Sequence, residues 1–110
     1  PGTVKPATKA LIGATTAQAM AACHFDLAFL GTNGVHLKYG LTTPDEEEAA
    51  IKRVAIQRAT QTVVLADPSK FGQVSFAKFG DLADATILTT ALGQLAQYYE
   101  NQPTIKEVTN

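Results

Sequence analysis

The chain has 110 residues, 45% of them apolar and 17% charged, a composition that fits one small globular domain and excludes a disordered chain. Nine basic residues face ten acidic ones, for a formal net charge of −1. That lacks the basic excess with which a free-standing module grips phosphate backbones, so this chain is not expected to hold nucleic acid by itself.

Cys23 is the single cysteine; no intrachain disulfide can form, and no ligand cluster suggests a metal or other cofactor. Tryptophan is absent, so Ala, Val, Leu and Ile must fill most of the core. No apolar run reaches the roughly 20 residues of a membrane span, and no signal peptide is visible. A cytoplasmic protein is expected. Because the chain opens at Pro1, it is expected to be a piece of a longer protein.

Taken in chain order, longer stretches with helical character alternate with short apolar runs. A helix is predicted over about Thr15 to Cys23, with Cys23 packed among alanines. Asp26 to Gly31 then reads as a buried strand. A second helix is predicted over Pro44 to Thr60, with Thr43 as N-cap, Pro44 at the first helical position and Glu46 completing a Thr-x-x-Glu capping box. Its apolar stripe is Ile51, Val54, Ala55 and Ala59. Further strands follow at Thr62 to Ala66, Thr86 to Thr89 and, weakly, Ile105 to Val108, with a helix over Ala91 to Glu100 between the last two. Strands apolar on both faces and separated by helices indicate an α/β fold with a mostly parallel sheet.

In such sheets ligands bind beyond the carboxyl ends of the strands. Those ends carry Gly31-Thr32-Asn33-Gly34, then Asp67-Pro68-Ser69-Lys70, then Thr89-Thr90. Glycines let a backbone approach a ligand closely, and Asn33 and Thr32 can hydrogen-bond sugar hydroxyls or a phosphate; the same residues also suit a plain turn. Asp67 could accept from sugar hydroxyls and Lys70 hold a phosphate as a point charge. Their alternative is a solvated turn with an ion pair worth at most about 1 kcal/mol.

The acidic run Asp45 to Glu48 is explained by helix capping and the helix dipole, not by metal or general-base chemistry. Glu48 and Lys52, spaced i, i+4, either face a ligand or make a surface contact. His24 and His36 have no Ser or Asp partner at catalytic spacing and read as structural or exposed. Phe71, Phe76 and Phe79 read as core or interface anchors, and Tyr98 and Tyr99 as packing against further structure.

Four blocks together resemble the sensor domain of DeoR-family transcription repressors. They are Phe25-Asp26-Leu27-Ala28-Phe29-Leu30-Gly31-Thr32-Asn33-Gly34, Tyr39-Gly40-Leu41-Thr42-Thr43-Pro44, Glu48-Ala49-Ala50-Ile51-Lys52 and Val64-Leu65-Ala66-Asp67-Pro68-Ser69-Lys70-Phe71-Gly72. Gly-Thr-Asn-Gly and Gly-Leu-Thr-Thr-Pro are most similar to the fructose and lactose phosphotransferase-system repressors of Gram-positive bacteria. The resemblance implies a ribose-5-phosphate-isomerase-like (CoA-transferase-like) sensor, of which residues 1–110 are a part, with the DNA-binding helix-turn-helix outside the chain. It implies a homo-oligomer that binds a phosphorylated sugar, fructose 1-phosphate or tagatose 6-phosphate foremost, and reaches operator DNA only through the other domain. It implies effector contacts at Asp67 and Lys70, with Gly31, Asn33, Gly34, Glu48 and Lys52 as further pocket residues.

Two departures stand out. The family's Asp-Ser-Gly-Thr-Thr phosphate loop has no match, and the acid of its Ile-Thr-Asp block is missing from Leu88-Thr89-Thr90, so no role passes to Thr90. The isomerase relatives carry Asp-Gly-Ala-Asp-Glu where this chain has Leu30-Gly31-Thr32-Asn33-Gly34, and a catalytic Glu where it has Ile51. Sugar isomerisation needs a base beside a carbonyl; binding does not. A sensor is therefore expected, with no catalytic residue. A sugar-phosphate isomerase or deaminase fragment, and an oligomerisation module with a vestigial pocket, are the alternatives.

Overall fold

A computed structural model describes residues 14–108. Helix α1 (Ala14–Ala21) leads into strand β1 (Phe25–Gly31). A hairpin of β2 (Gly34–His36) and β3 (Gly40–Thr43) precedes helix α2 (Glu46–Arg58), which passes directly into β4 (Ala59–Leu65). Then come β5 (Ala77–Gly80), β6 (Thr86–Thr89), the short helix α3 (Ala96–Tyr99) and β7 (Ile105–Glu107). Strands β1-β4-β6-β7 form a parallel sheet in that order. The α/β class and the four parallel strands agree with the sequence reading.

The second sheet, β2-β3-β5, is antiparallel and has no counterpart in that reading. Its strands are three or four residues long, too short to show alternation. Gly40 makes the hairpin possible: its φ of 74° lies in the left-handed region, where a side chain is strained.

The start of α2 is also corrected. Thr43 is the last residue of β3 and fully buried. Asp45 is the N-cap, its carboxylate accepting from the Glu47 amide at 3.0 Å, as an N-cap acid should. The helix ends at Arg58, not Thr60, and the stretch from Ala91 is a 3-10 turn (Gly93–Leu95) followed by α3. Glu46 binds Arg53 through both guanidinium Nη atoms, at 2.8 and 3.0 Å. Arg53 also donates to the Lys78 carbonyl at 2.9 and 3.1 Å, tying α2 to β5. The hydrogen bond from Arg53 holds Glu46 below the usual carboxylate range.

The core gathers Val35, Leu41, Ala49, Val64, Phe71, Phe79, Ile87 and Leu92 between the two sheets and α2. Tyr99 joins it edge-on to Phe71, with ring centroids 5.0 Å apart. Burial raises its phenol pKa, a shift partly opposed by a hydrogen bond to the Gly72 backbone. Phe76 and Tyr98 are exposed. Cys23 is also exposed rather than packed: it follows the last turn of α1 and its thiol lies 3.6 Å from the Ala19 carbonyl.

Among the described residues the parallel sheet is covered unequally. Helix α2 packs against β1 and β4 of this sheet. On the opposite face the register aligns Phe29 with Val63, Gly31 with Leu65, and Leu65 with Leu88. There Leu27 is 45% exposed, Phe29 62% and Leu65 51%.

Candidate functional site

The carboxyl ends of β1, β4 and β6 lie side by side, because Gly31 pairs with Leu65 and Leu65 with Leu88. The loops leaving these ends build two neighbouring clusters. Between β1 and β2, the buried Thr32 folds its loop onto itself. Its hydroxyl accepts from the Gly34 amide at 3.3 Å and lies 2.8 Å from the Gly34 carbonyl and 3.0 Å from that of Thr42. The Asn33 amide also donates to the Thr42 carbonyl, at 3.0 Å.

Gly34 is buried so tightly that an added Cβ would fall closer than 3.0 Å to both the Gln73 carbonyl oxygen and Thr42 Oγ1. Gly31 is the opposite case: nothing stands within 4 Å of where its Cβ would be. Gly34 is therefore fixed by packing, and Gly31 leaves free space beside the sheet end.

Thr43 explains why it is not a helix cap. Its hydroxyl lies 3.3 Å from Asn33 Oδ1 and 3.3 Å from Glu48 Oε1, joining the loop to the first turn of α2. One turn on, Lys52 donates to the Gly31 carbonyl at 2.7 Å and sits 4.9 Å from the centre of the Phe79 ring. Glu48 and Lys52 thus both turn toward the loop after β1.

The second cluster follows β4. Asp67 caps a 3-10 turn (Pro68–Lys70), its carboxylate accepting from the Ser69 amide at 2.8 Å and from the Ser69 hydroxyl. Lys70 ends the turn, and its amide donates to the Asp67 carbonyl at 3.0 Å. The Ser69 hydroxyl, then the Ser69 amide and the Lys70 charge, hold Asp67 below the usual carboxylate range. A lowered pKa makes the associated stabilisation complete above the unfolded value and lost only as pH falls through the folded one. Ser69→Ala is expected to raise the Asp67 pKa toward its ordinary value, as read by carbon-13 carboxyl shifts in a pH titration. The Gly72 amide donates to the Val35 carbonyl at 2.8 Å, joining the second loop to the first.

Beside Asp67 opens a cleft of about 440 Å³ lined by Leu65, Ala66, Asp67, Leu88, Thr89, Thr90 and Val108. Of the seven residues expected to contact an effector, only Asp67 lines it. Lys70 sits one turn further on; Asn33, Glu48 and Lys52 form the neighbouring cluster with Gly31; Gly34 is enclosed. Sequence reasoning placed Thr89 at a strand end but gave it no role, although strand alternation in Thr-Ile-Leu-Thr sets it on the buried face with Ile87.

His36 uses Nδ1 to accept from the Lys38 and Tyr39 amides at 3.0 and 3.2 Å. His24 Nε2 lies 3.0 Å from the Thr60 hydroxyl. Both are occupied locally. Among the described residues no group of three or more His, Cys, Asp or Glu is placed to hold a metal ion, and no helix is long and apolar enough to cross a membrane.

Comparison with known proteins places this architecture. The family model described as the DeoR C terminal sensor domain matches residues 1–91. The chain is 48% identical over 108 residues to the HTH-type transcriptional regulator FruR of Bacillus subtilis, itself described as uncharacterized; that match covers 97% of this chain and 43% of FruR. It is 43% identical over 89 residues to the transcriptional regulator GlpR of Haloferax volcanii, covering 81% of this chain and 35% of GlpR. It is 35% identical over 80 residues to the transcriptional repressor GlcR of Bacillus subtilis, covering 73% of this chain and 31% of GlcR. The chain spans less than half the length of these relatives. All three are transcription regulators, not enzymes, which sets aside the isomerase alternative. The chain belongs to the family of DeoR C-terminal sensor domains, the regulatory part of transcription repressors.

Proposed function

We propose that this domain binds a phosphorylated sugar at the ends of β1, β4 and β6, without transforming it, and so adjusts how a full-length repressor holds its operator. The observation that carries this reading is the Asp67–Lys70 turn, which sets an ionised carboxylate in the lining of an open cleft and a lysine at the end of the same turn. A carboxylate suits sugar hydroxyls and an ammonium suits phosphate. Gly31, whose Cβ position is empty, lets a ligand approach the backbone at the adjoining strand end. Asn33, Glu48 and Lys52 then act on the β1 side, through the loop that they hold. The operator is reached through a DNA-binding domain elsewhere in the full-length protein, in the cytoplasm, and the ligand works only through unequal affinity for two states of the repressor.

A ligand bound only by the folded state raises its stability by about 2.7 kcal/mol at a hundredfold excess over Kd. Thermal unfolding of the full-length protein is therefore expected to shift upward with fructose 1-phosphate or tagatose 6-phosphate. The unphosphorylated sugars should leave it unchanged. Equal shifts with phosphorylated and free sugars would exclude phosphate recognition.

A further inference from the structure

One buried side-chain polar atom among the described residues has no hydrogen-bond partner: the hydroxyl oxygen of Thr89. Thr89 is 4% exposed and ends β6, where it lines the cleft together with Asp67 and Thr90. Its carbonyl accepts from the Val108 amide at 2.7 Å. An unpaired hydroxyl shut away from bulk water is costly, and such atoms call for a partner, whether an ordered water or a ligand group. Thr32, Thr42 and Thr43, also buried, show the contrast by using their hydroxyls within the fold.

We infer that Thr89, with Asp67 and Thr90, forms a hydroxyl-reading subsite for the neutral, polyol end of the ligand, with Thr89 as a specificity-determining residue. The inference rests on the proposed sugar-phosphate reading of the cleft and adds which end of the ligand lies where. The chemistry of the lining fixes that orientation. A carboxylate kept ionised at Asp67 repels a phosphate and accepts from a sugar hydroxyl. Two threonine hydroxyls can each donate or accept, as a polyol requires. Leu65, Leu88 and Val108 supply an apolar wall suited to the C–H face of a sugar. The phosphate is left to the Lys70 side of the turn.

Binding to the full-length protein should be compared by calorimetry, with fructose 1-phosphate and tagatose 6-phosphate as probes, for wild type, Thr89→Val and Thr89→Ser. Valine keeps the shape and deletes the hydroxyl; serine keeps the hydroxyl. The expected result is at least a tenfold loss of affinity in Thr89→Val, with Thr89→Ser within about threefold of wild type. Without ligand, Thr89→Val should melt no lower than wild type, because the deleted hydroxyl has no partner to lose. Should the valine variant not fold, Thr89→Ala takes its place in the same comparison. Wild-type affinity in the hydroxyl-less variant would overturn this subsite while leaving the sugar-phosphate reading standing. Absence of binding by wild type to either probe would remove both.

Discussion

Gly34→Ala is expected to destabilise the domain by roughly 3 kcal/mol or more, at the upper end of overpacking effects. The added methyl meets the Gln73 carbonyl oxygen and the Thr42 hydroxyl closer than 3.0 Å, and neither can step aside. Gln73 is backbone, adjoining the segment that hydrogen-bonds Val35 through Gly72. Thr42 Oγ1 is held by the Ser75 amide at 2.9 Å. Relief would have to part the β2-β3 hairpin from the segment before β5, and with it the burial of Val35 and Phe71. A small domain has only about 5–15 kcal/mol to lose, so much of the population should unfold at physiological temperature. Gly31→Ala is the control. Its methyl enters empty space, so stability should stay within about 0.5 kcal/mol of wild type. Urea denaturation of the two variants checks both outcomes, and comparable losses would contradict the packing described.

Lys70→Ala is expected to lower affinity for a phosphorylated sugar by about tenfold to a hundredfold, the range of a lost hydrogen bond to a charged group of about 1.5–3 kcal/mol. Fold stability should hold, because Lys70 holds the turn through its main chain: its amide donates to Asp67, and Phe71 donates to Pro68. The same substitution should make binding less sensitive to salt, since a screened ion pair is what has been removed. Titrations at two ionic strengths check this. Unchanged affinity would put the phosphate elsewhere, with Lys52 the next cation to test.

The two glycines show how much of the site was legible in the sequence. Gly31 and Gly34 occupy equivalent places in Gly-Thr-Asn-Gly and invite the same reading. Their difference depends on Gln73, nearly forty residues on, which no local pattern reports. The parallel strands were legible because each is a short apolar run followed by polar turn residues, and α2 was legible from its acidic first turn. The antiparallel sheet was not, because Gly40–Thr43 and Ala77–Gly80 are bound to each other by tertiary pairing rather than by alternation. Thr-x-x-Glu misled at α2 for a related reason: β3 runs to Thr43 and spends its side chain on Asn33 and Glu48, so capping passes to Asp45. At β6 the missing acid at Thr90 drew notice, while the residue before it carries the unpaired hydroxyl.

Asp67 and Lys70 stand in one cluster and Asn33 in the other. The two clusters do not share a direct hydrogen bond among those described, yet they leave adjacent strands and are linked through Val35 and Gly72. The Gly72–Val35 hydrogen bond joins the second loop to β2, the strand that follows the loop after β1. That loop is anchored to α2 through Lys52 and Glu48, which gives a contiguous physical path from cleft to helix.

Calorimetric titration of the full-length protein with fructose 1-phosphate and tagatose 6-phosphate, with the ligand analysed afterwards for chemical change, addresses the central claim most directly. Saturable heat with at least one of the two phosphates, none with the free sugars, and ligand recovered intact is the predicted result. A folded protein that gives no heat with either phosphate, or that returns an altered sugar, would contradict it.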